Sequence, residues 1–200
     1  MDDGEPIDLF SLRYVEGELL HYTRDDSVLH RQRHRIGVVL GADLDGARVK
    51  DRDLPWQRLI LALGLVVAAI RWLTEQLGDQ ALTVHVAFPP RLLAEERQVA
   101  ALLLEGEVAR GTAAIVEQPW DEALALAVTA AGSAISDLVV VSLGATPELP
   151  TGLRVLHVDL AGATPVIREL APHRGARAAL GLDPWLAWCE GAEDLLRWLI

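Results

Sequence analysis

Four runs rich in valine and leucine limit the fold more than any other feature. They are IGVVLGA at 36–42, LTVHVAF at 82–88, DLVVVSL at 137–143 and LRVLHVDL at 153–160. Each is apolar at most positions rather than at every second one. Strands of that kind bury both faces, as they do in a parallel sheet covered by helices. Helical signals fill the gaps. Residues 55–77 open with Pro55 and stop before Gly78, the residues expected at a helix start and a helix end. Residues 91–105 carry Leu92, Leu93, Val99, Leu102 and Leu103 at helical spacing, and 119–131 run from Pro119 towards Gly132. Thr164 ahead of Pro165 predicts a capped helix over 165–173, and 184–200 close the chain with helical signal. TAAIV (112–116) and RAALGL (177–182) fit a strand or a flanking loop equally well. The alternation predicts an α/β fold, a doubly wound and mostly parallel central sheet with helices on both faces, Rossmann-like in layout.

Two hundred residues, 51 % of them apolar, suffice for one such domain. Residues 1–34 are more polar and read as an N-terminal lead-in segment to a domain over 35–200. The net charge of −11 argues against a nucleic-acid binder that grips phosphates over a broad surface. The local basic cluster HRQRHR (30–35) fits a solvated loop or a docking patch for an acidic partner. Cys189 is the sole cysteine, so the chain has no internal disulfide and no thiolate zinc cage. The acidic start MDDGEPIDLF lacks the features of an export signal, and the expected location is cytoplasmic. The most apolar run, LILALGLVVAAI at 59–70, falls short of the roughly twenty residues of a bilayer span. A buried helix is expected there, with no membrane insertion.

The first strand run stops at Asp43, followed by Leu44, Asp45, Gly46 and Ala47. Ligands of doubly wound sheets bind at the carboxyl ends of strands. Two carboxylates there suit a cation or phosphoryl group, whereas Asp before Gly also suits a plain turn. The segment DLDGA resembles the opening motif of haloacid dehalogenase-like phosphatases, in which the first Asp is nucleophile and the second general acid. The likeness ends with those five residues. Asp159 follows Ser142 by seventeen residues, too few for that family's intervening helix, and no acidic pair comes directly after it.

From residue 35 onward the chain resembles the von Willebrand factor A-like (vWA) domain. Asp43-Leu44-Asp45-Gly46-Ala47 stands where that family has Asp-x-Ser-x-Ser. The long helix 55–77 follows, then a strand ending in Phe88, then Gly111-Thr112 ahead of PWDEALALAVTAA. Ser142-Leu143-Gly144 takes the place of Thr-Asp-Gly, and LRVLHVDL and a helix with IRELAPHRG match the tail. The resemblance implies a binding crevice at Asp43, Asp45, Ala47, Thr112 and Ser142. It also implies a metal-ion-dependent adhesion site in degenerate form. Asp43, Asp45 and Thr112 keep oxygens that would hold a magnesium ion only weakly. Ala47 and Leu143 offer no ligand. No other cofactor is implied.

The implied function is a non-catalytic protein–protein interaction or adaptor domain. Similar intracellular bacterial vWA proteins work beside MoxR-type AAA+ ATPases, so an AAA+ ATPase or its client is the expected partner. The rival reading is a magnesium-dependent phosphohydrolase with Asp43 as nucleophile and Asp45 as acid. Trp56, Trp72, Trp185, Trp188 and Trp198 suit core packing or a partner surface. His85 and His157 sit inside strand runs and read as structural.

Overall fold

A computed structural model describes residues 34–123, 125, 136–144, 154–170, 188, 189, 192, 193, 195 and 199. All belong to the unit Arg33–Ile200, which is distinct from Met1–Gln32. Residues 1–33 of the lead-in 1–34, and RAALGL (177–182), lie outside the described residues, and His34 opens the first strand.

Strand β1 (His34–Leu40) runs into a 3-10 turn (Ala42–Arg48), and helix α1 (Arg58–Leu77) follows. Then come β2 (Leu82–Phe88), α2 (Ala94–Leu103), the short α3 (Glu105–Ala109) and β3 (Ala113–Glu117). Residues 120–123 and 125 are helical. Beyond them are β4 (Ser136–Ser142), β5 (Arg154–Asp159) and β6 (Val166–Glu169). The six strands form one sheet in the order β3-β2-β1-β4-β5-β6. All neighbours are parallel except β5 and β6. The doubly wound sheet read from the sequence is therefore the fold, with β1 inside it.

Both faces of the central strands are covered, which explains their unbroken apolar runs. Ile36, Val38 and Leu40 of β1 meet Leu59, Val66, Ile70 and Leu73 of α1 on one face. Val39, Leu138 and Val140 meet Ala123 on the other. Each fully buried Val, Leu or Ile contributes about 1.5–3 kcal/mol. Helix α1 ends where Gly78 takes φ 78° and donates its N–H to Thr74 O at 2.9 Å. By length and mean hydropathy (1.6) α1 could cross a bilayer, yet 44 % of that stretch is buried in this fold.

One expectation is corrected. The helix predicted over 165–173 is, across Val166–Glu169, an edge strand antiparallel to β5. Thr164-Pro165 looks like a helix start, but Val166 and Ile167 are β-branched and an open sheet edge is at hand. Proline just ahead of an edge strand costs no ladder bond. The family-like tail IRELAPHRG is thus strand over 167–169, and its residues 171–175 lie outside the described set. TAAIV resolves as strand β3.

Candidate functional site

The connections leave β1 towards β2 on one side, and β4 begins the other side. The strand order thus reverses between β1 and β4, where open α/β sheets bind ligands. Gly41 N–H donates to Val141 O at 2.8 Å and holds the two strand ends together. A side chain on Gly41 would run into Asp43 Oδ1. Glycine lets that carboxylate fold back over the strand end.

Asp43 reaches across the reversal. Its Oδ2 accepts the Leu143 N–H at 2.8 Å, and its Oδ1 is buried without a partner among the described residues. The Leu143 side chain lies over Gly46, whose Cβ would be 3.1 Å from Leu143 Cδ1. Asp45 points elsewhere: exposed, it pairs with Arg48 at 2.8 Å. Arg48 also places a two-nitrogen fork on Glu96, both bonds 2.8 Å, and donates to Leu92 O at 3.0 Å. That fork raises the Arg48 pKa and holds the Glu96 carboxyl below its ordinary value. Ala47 is fully buried beside Leu44 in the main core and does not face the crevice.

Ser142, at the end of β4, is fully buried. Its Oγ is hydrogen-bonded to His157 Nε2 at 2.7 Å. His157 is itself fully buried, and that burial, aided by Arg168, pushes its pKa below the ordinary value against the pull of Asp159 and Asp43. The ring is therefore neutral near pH 7. Asp159 accepts the Ala161 N–H at 2.9 Å and faces Arg168 at 3.8 Å. The loop after β5 has two further tethers. Arg58 donates to Leu160 O at 2.7 Å, Ala161 O at 2.9 Å and Gly162 O at 3.3 Å. Trp188 Nε1 donates to Ala163 O at 3.0 Å.

Thr112 does not join this group. It immediately precedes β3, and its carbonyl accepts the Val84 N–H. The register Val84↔Ala113 and Leu82↔His34 puts it level with the start of β1. Asp43 lies past the other end, about 20 Å away at roughly 3.3 Å per residue. The cause is the parallel crossover through α2 and α3, which places a residue ahead of β3 at the amino end of the sheet. Thr112 instead pins α3, its Oγ1 donating to Glu107 O at 3.0 Å.

Of the five predicted crevice residues, Asp43 and Ser142 converge, Asp45 borders them through Arg48, Ala47 is in the core and Thr112 is at the far end. A hard dication wants about six oxygens. Here one Asp43 oxygen is engaged by a backbone amide, Asp45 by Arg48 and Ser142 by His157. No cluster of three or more His, Cys, Asp or Glu suited to a metal occurs among the described residues. The donor set does not fit the family's ion. Sequence reasoning missed the Ser142–His157 pair and the Arg48–Glu96 fork. The first had one visible signal: His157 and Asp159 alternate on one face of a strand.

Residues 2–176 match the model of the vWA domain found in the FtsH ternary systems. No curated protein and no solved structure matches the chain. The match spans most of the sequence and agrees with a sheet whose order reverses at Asp43. The chain belongs to the family of vWA domains found in the FtsH ternary systems.

Proposed function

We propose that this domain is a non-catalytic adaptor in a multi-protein system, with a degenerate metal-ion-dependent adhesion site that holds its partner without a cation. The observation that carries this reading is the 2.8 Å bond from Leu143 N–H to Asp43 Oδ2. The chain spans its own crevice there, at the position where a ligand ion would otherwise join the two loops. The ternary setting named for the family supports a protein partner. An AAA+ ATPase or its client, met in the bacterial cytoplasm, is the specific partner class we favour. The test is co-purification with the other components of the ternary system in EDTA and again in magnesium. Equal recovery is expected in both. Recovery that collapses in EDTA would refute the metal-independent reading.

The rival phosphohydrolase assigns Asp43 as nucleophile and Asp45 as acid. The Asp45–Arg48 pair counts against it, because a general acid must reach the leaving group and this exposed carboxylate is turned onto the guanidinium of its own turn. Phosphate release from p-nitrophenyl phosphate that Asp43→Asn abolishes would favour the enzyme instead.

A further inference from the structure

Helix α1 turns an apolar surface away from the sheet. Ile60 is 48 % exposed, Trp56 just before the helix is 58 % exposed, and Gly64 and Ala68 are open. With Trp188 and Cys189 of the C-terminal helical segment they line a groove of about 470 Å³. No charged or amide side chain is among its lining residues.

We propose that this groove seats an amphipathic helix of another protein, apolar towards the groove and basic on its outer side. The groove walls are helical, so their main-chain groups are already paired within each helix. An extended segment laid there would bury its own N–H and C=O groups without partners, whereas a helix satisfies its own. Gly64 and Ala68 lie about one turn apart and form a low floor that lets a second helix approach closely. Trp56 stands at one end as a large, accessible anchor of the kind that dominates binding energy. Charge selects the partner. At −11 a second copy of the chain is repelled, and a cationic helix is drawn in. The inference rests on the adaptor reading only in taking the occupant to be a protein.

Two features of the chain make the test clean. A Cβ on Gly64 would meet nothing within 4 Å, so Gly64→Leu fills the groove without a clash. It also removes a glycine from a helix interior and should melt no lower than the wild type. Cys189 is exposed and is the sole cysteine of the chain, so its reaction with dithiobis(nitrobenzoate) reports on the groove alone.

The probes are three designed helical peptides of about 18 residues, long enough to hold a helix once bound. One has Leu at every third or fourth position and Lys elsewhere; the second replaces Lys by Glu; the third replaces Leu by Ser. The Leu/Lys peptide should slow the thiol reaction of the full chain at least about tenfold at saturation. The Leu/Glu peptide should need about tenfold more, a difference of about 1.4 kcal/mol. The Leu-to-Ser peptide should not protect, and Gly64→Leu should abolish binding of the Leu/Lys peptide in direct titration.

Binding that survives Gly64→Leu overturns the proposal, and equal binding of the Glu peptide overturns its basic partner. A dimer dispersed by Gly64→Leu makes the occupant a second copy. Sedimentation with anionic vesicles that Gly64→Leu abolishes, without peptide protection, makes it a lipid surface. A thiol already shielded in the isolated chain means the chain covers its own groove. Each of these last three outcomes overturns a partner helix. If ternary-system components bind Gly64→Leu undiminished, the groove assignment falls and the adaptor reading stands. If they never bind the wild type while the peptide still protects Cys189, only the adaptor reading falls.

Discussion

Asp43 and Leu143, a hundred positions apart, are joined by one bond from the Leu143 amide to Oδ2, across the line where the strand order reverses. Leu143 also covers Gly46, so the same residue binds through its backbone and packs through its side chain. Asp43→Ala should cost about 1–3 kcal/mol, because a partly buried amide loses its acceptor. Asp43→Asn keeps an oxygen in reach and should cost less. At roughly 2–4 °C per kcal/mol for a chain of this size, thermal melts separate the two. An Asn variant as unstable as Ala would mean that the charge, rather than the acceptor, holds the loop.

Magnesium should matter little. At an ion concentration equal to its dissociation constant, a native-state ligand adds about 0.4 kcal/mol. A few millimolar magnesium should therefore move the melting temperature by no more than about 2 °C. A larger rise that disappears in Asp43→Ala would show a working cation site.

Arg48 binds the turn after β1 to the start of α2 through its fork on Glu96. Glu96→Gln should weaken that tie at neutral pH and change the acid limb. The Glu96 carboxyl is held below its ordinary value of 4.5 in the folded chain. Its contribution is then complete above that value and declines as pH falls through the depressed one. Urea midpoints from pH 6 to pH 3 should fall more steeply for the wild type than for Glu96→Gln. Parallel curves would place the acid sensitivity elsewhere.

His157 gives a second pH signature. Burial lowers its pKa below 6.5, so the unfolded chain takes up the proton first. Stability is full above pH 6.5 and is lost as pH drops from there through the folded value. His85 shifts the same way, through burial and Arg35, so its replacement is the needed control. His157→Gln should flatten the loss between pH 7.5 and 5.5 in denaturant titrations more than His85→Gln does. If His85→Gln has the larger effect, the fully buried ring is not the main proton sensor.

Gly78 ends α1 with φ 78° and ψ 161°, a region that side chains with a Cβ avoid. A Cβ there meets no neighbour, so the strain is purely backbone. Gly78→Ala should cost about 1–3 kcal/mol. A melt unchanged from wild type would mean that the turn relaxes freely.

Much of this could be read in one dimension, for local reasons. Strand β2 falls on LTVHVAF because its both-face apolar run is bounded by turn residues. The end of α1 was visible because Gly78 is a stop by chemistry. Strand β6 was hidden because Thr164-Pro165 carries a helix-start signal, and only the free edge of β5 turns the next residues into a strand. Thr112 was misplaced for a topological reason. Its type suits an ion, but the direction of β3 decides which end of the sheet it occupies. The Ser142–His157 bond depends on the pairing of β4 with β5, which no spacing along the chain encodes.

Arg58 grips the carbonyls of residues 160–162, and Trp188 grips that of Ala163. Both walls of the apolar groove are thereby sewn to one short loop, and that loop begins beside Asp159. The greasy flank of the fold and the polar end of its sheet therefore share one short segment of backbone, held by a side chain from each wall.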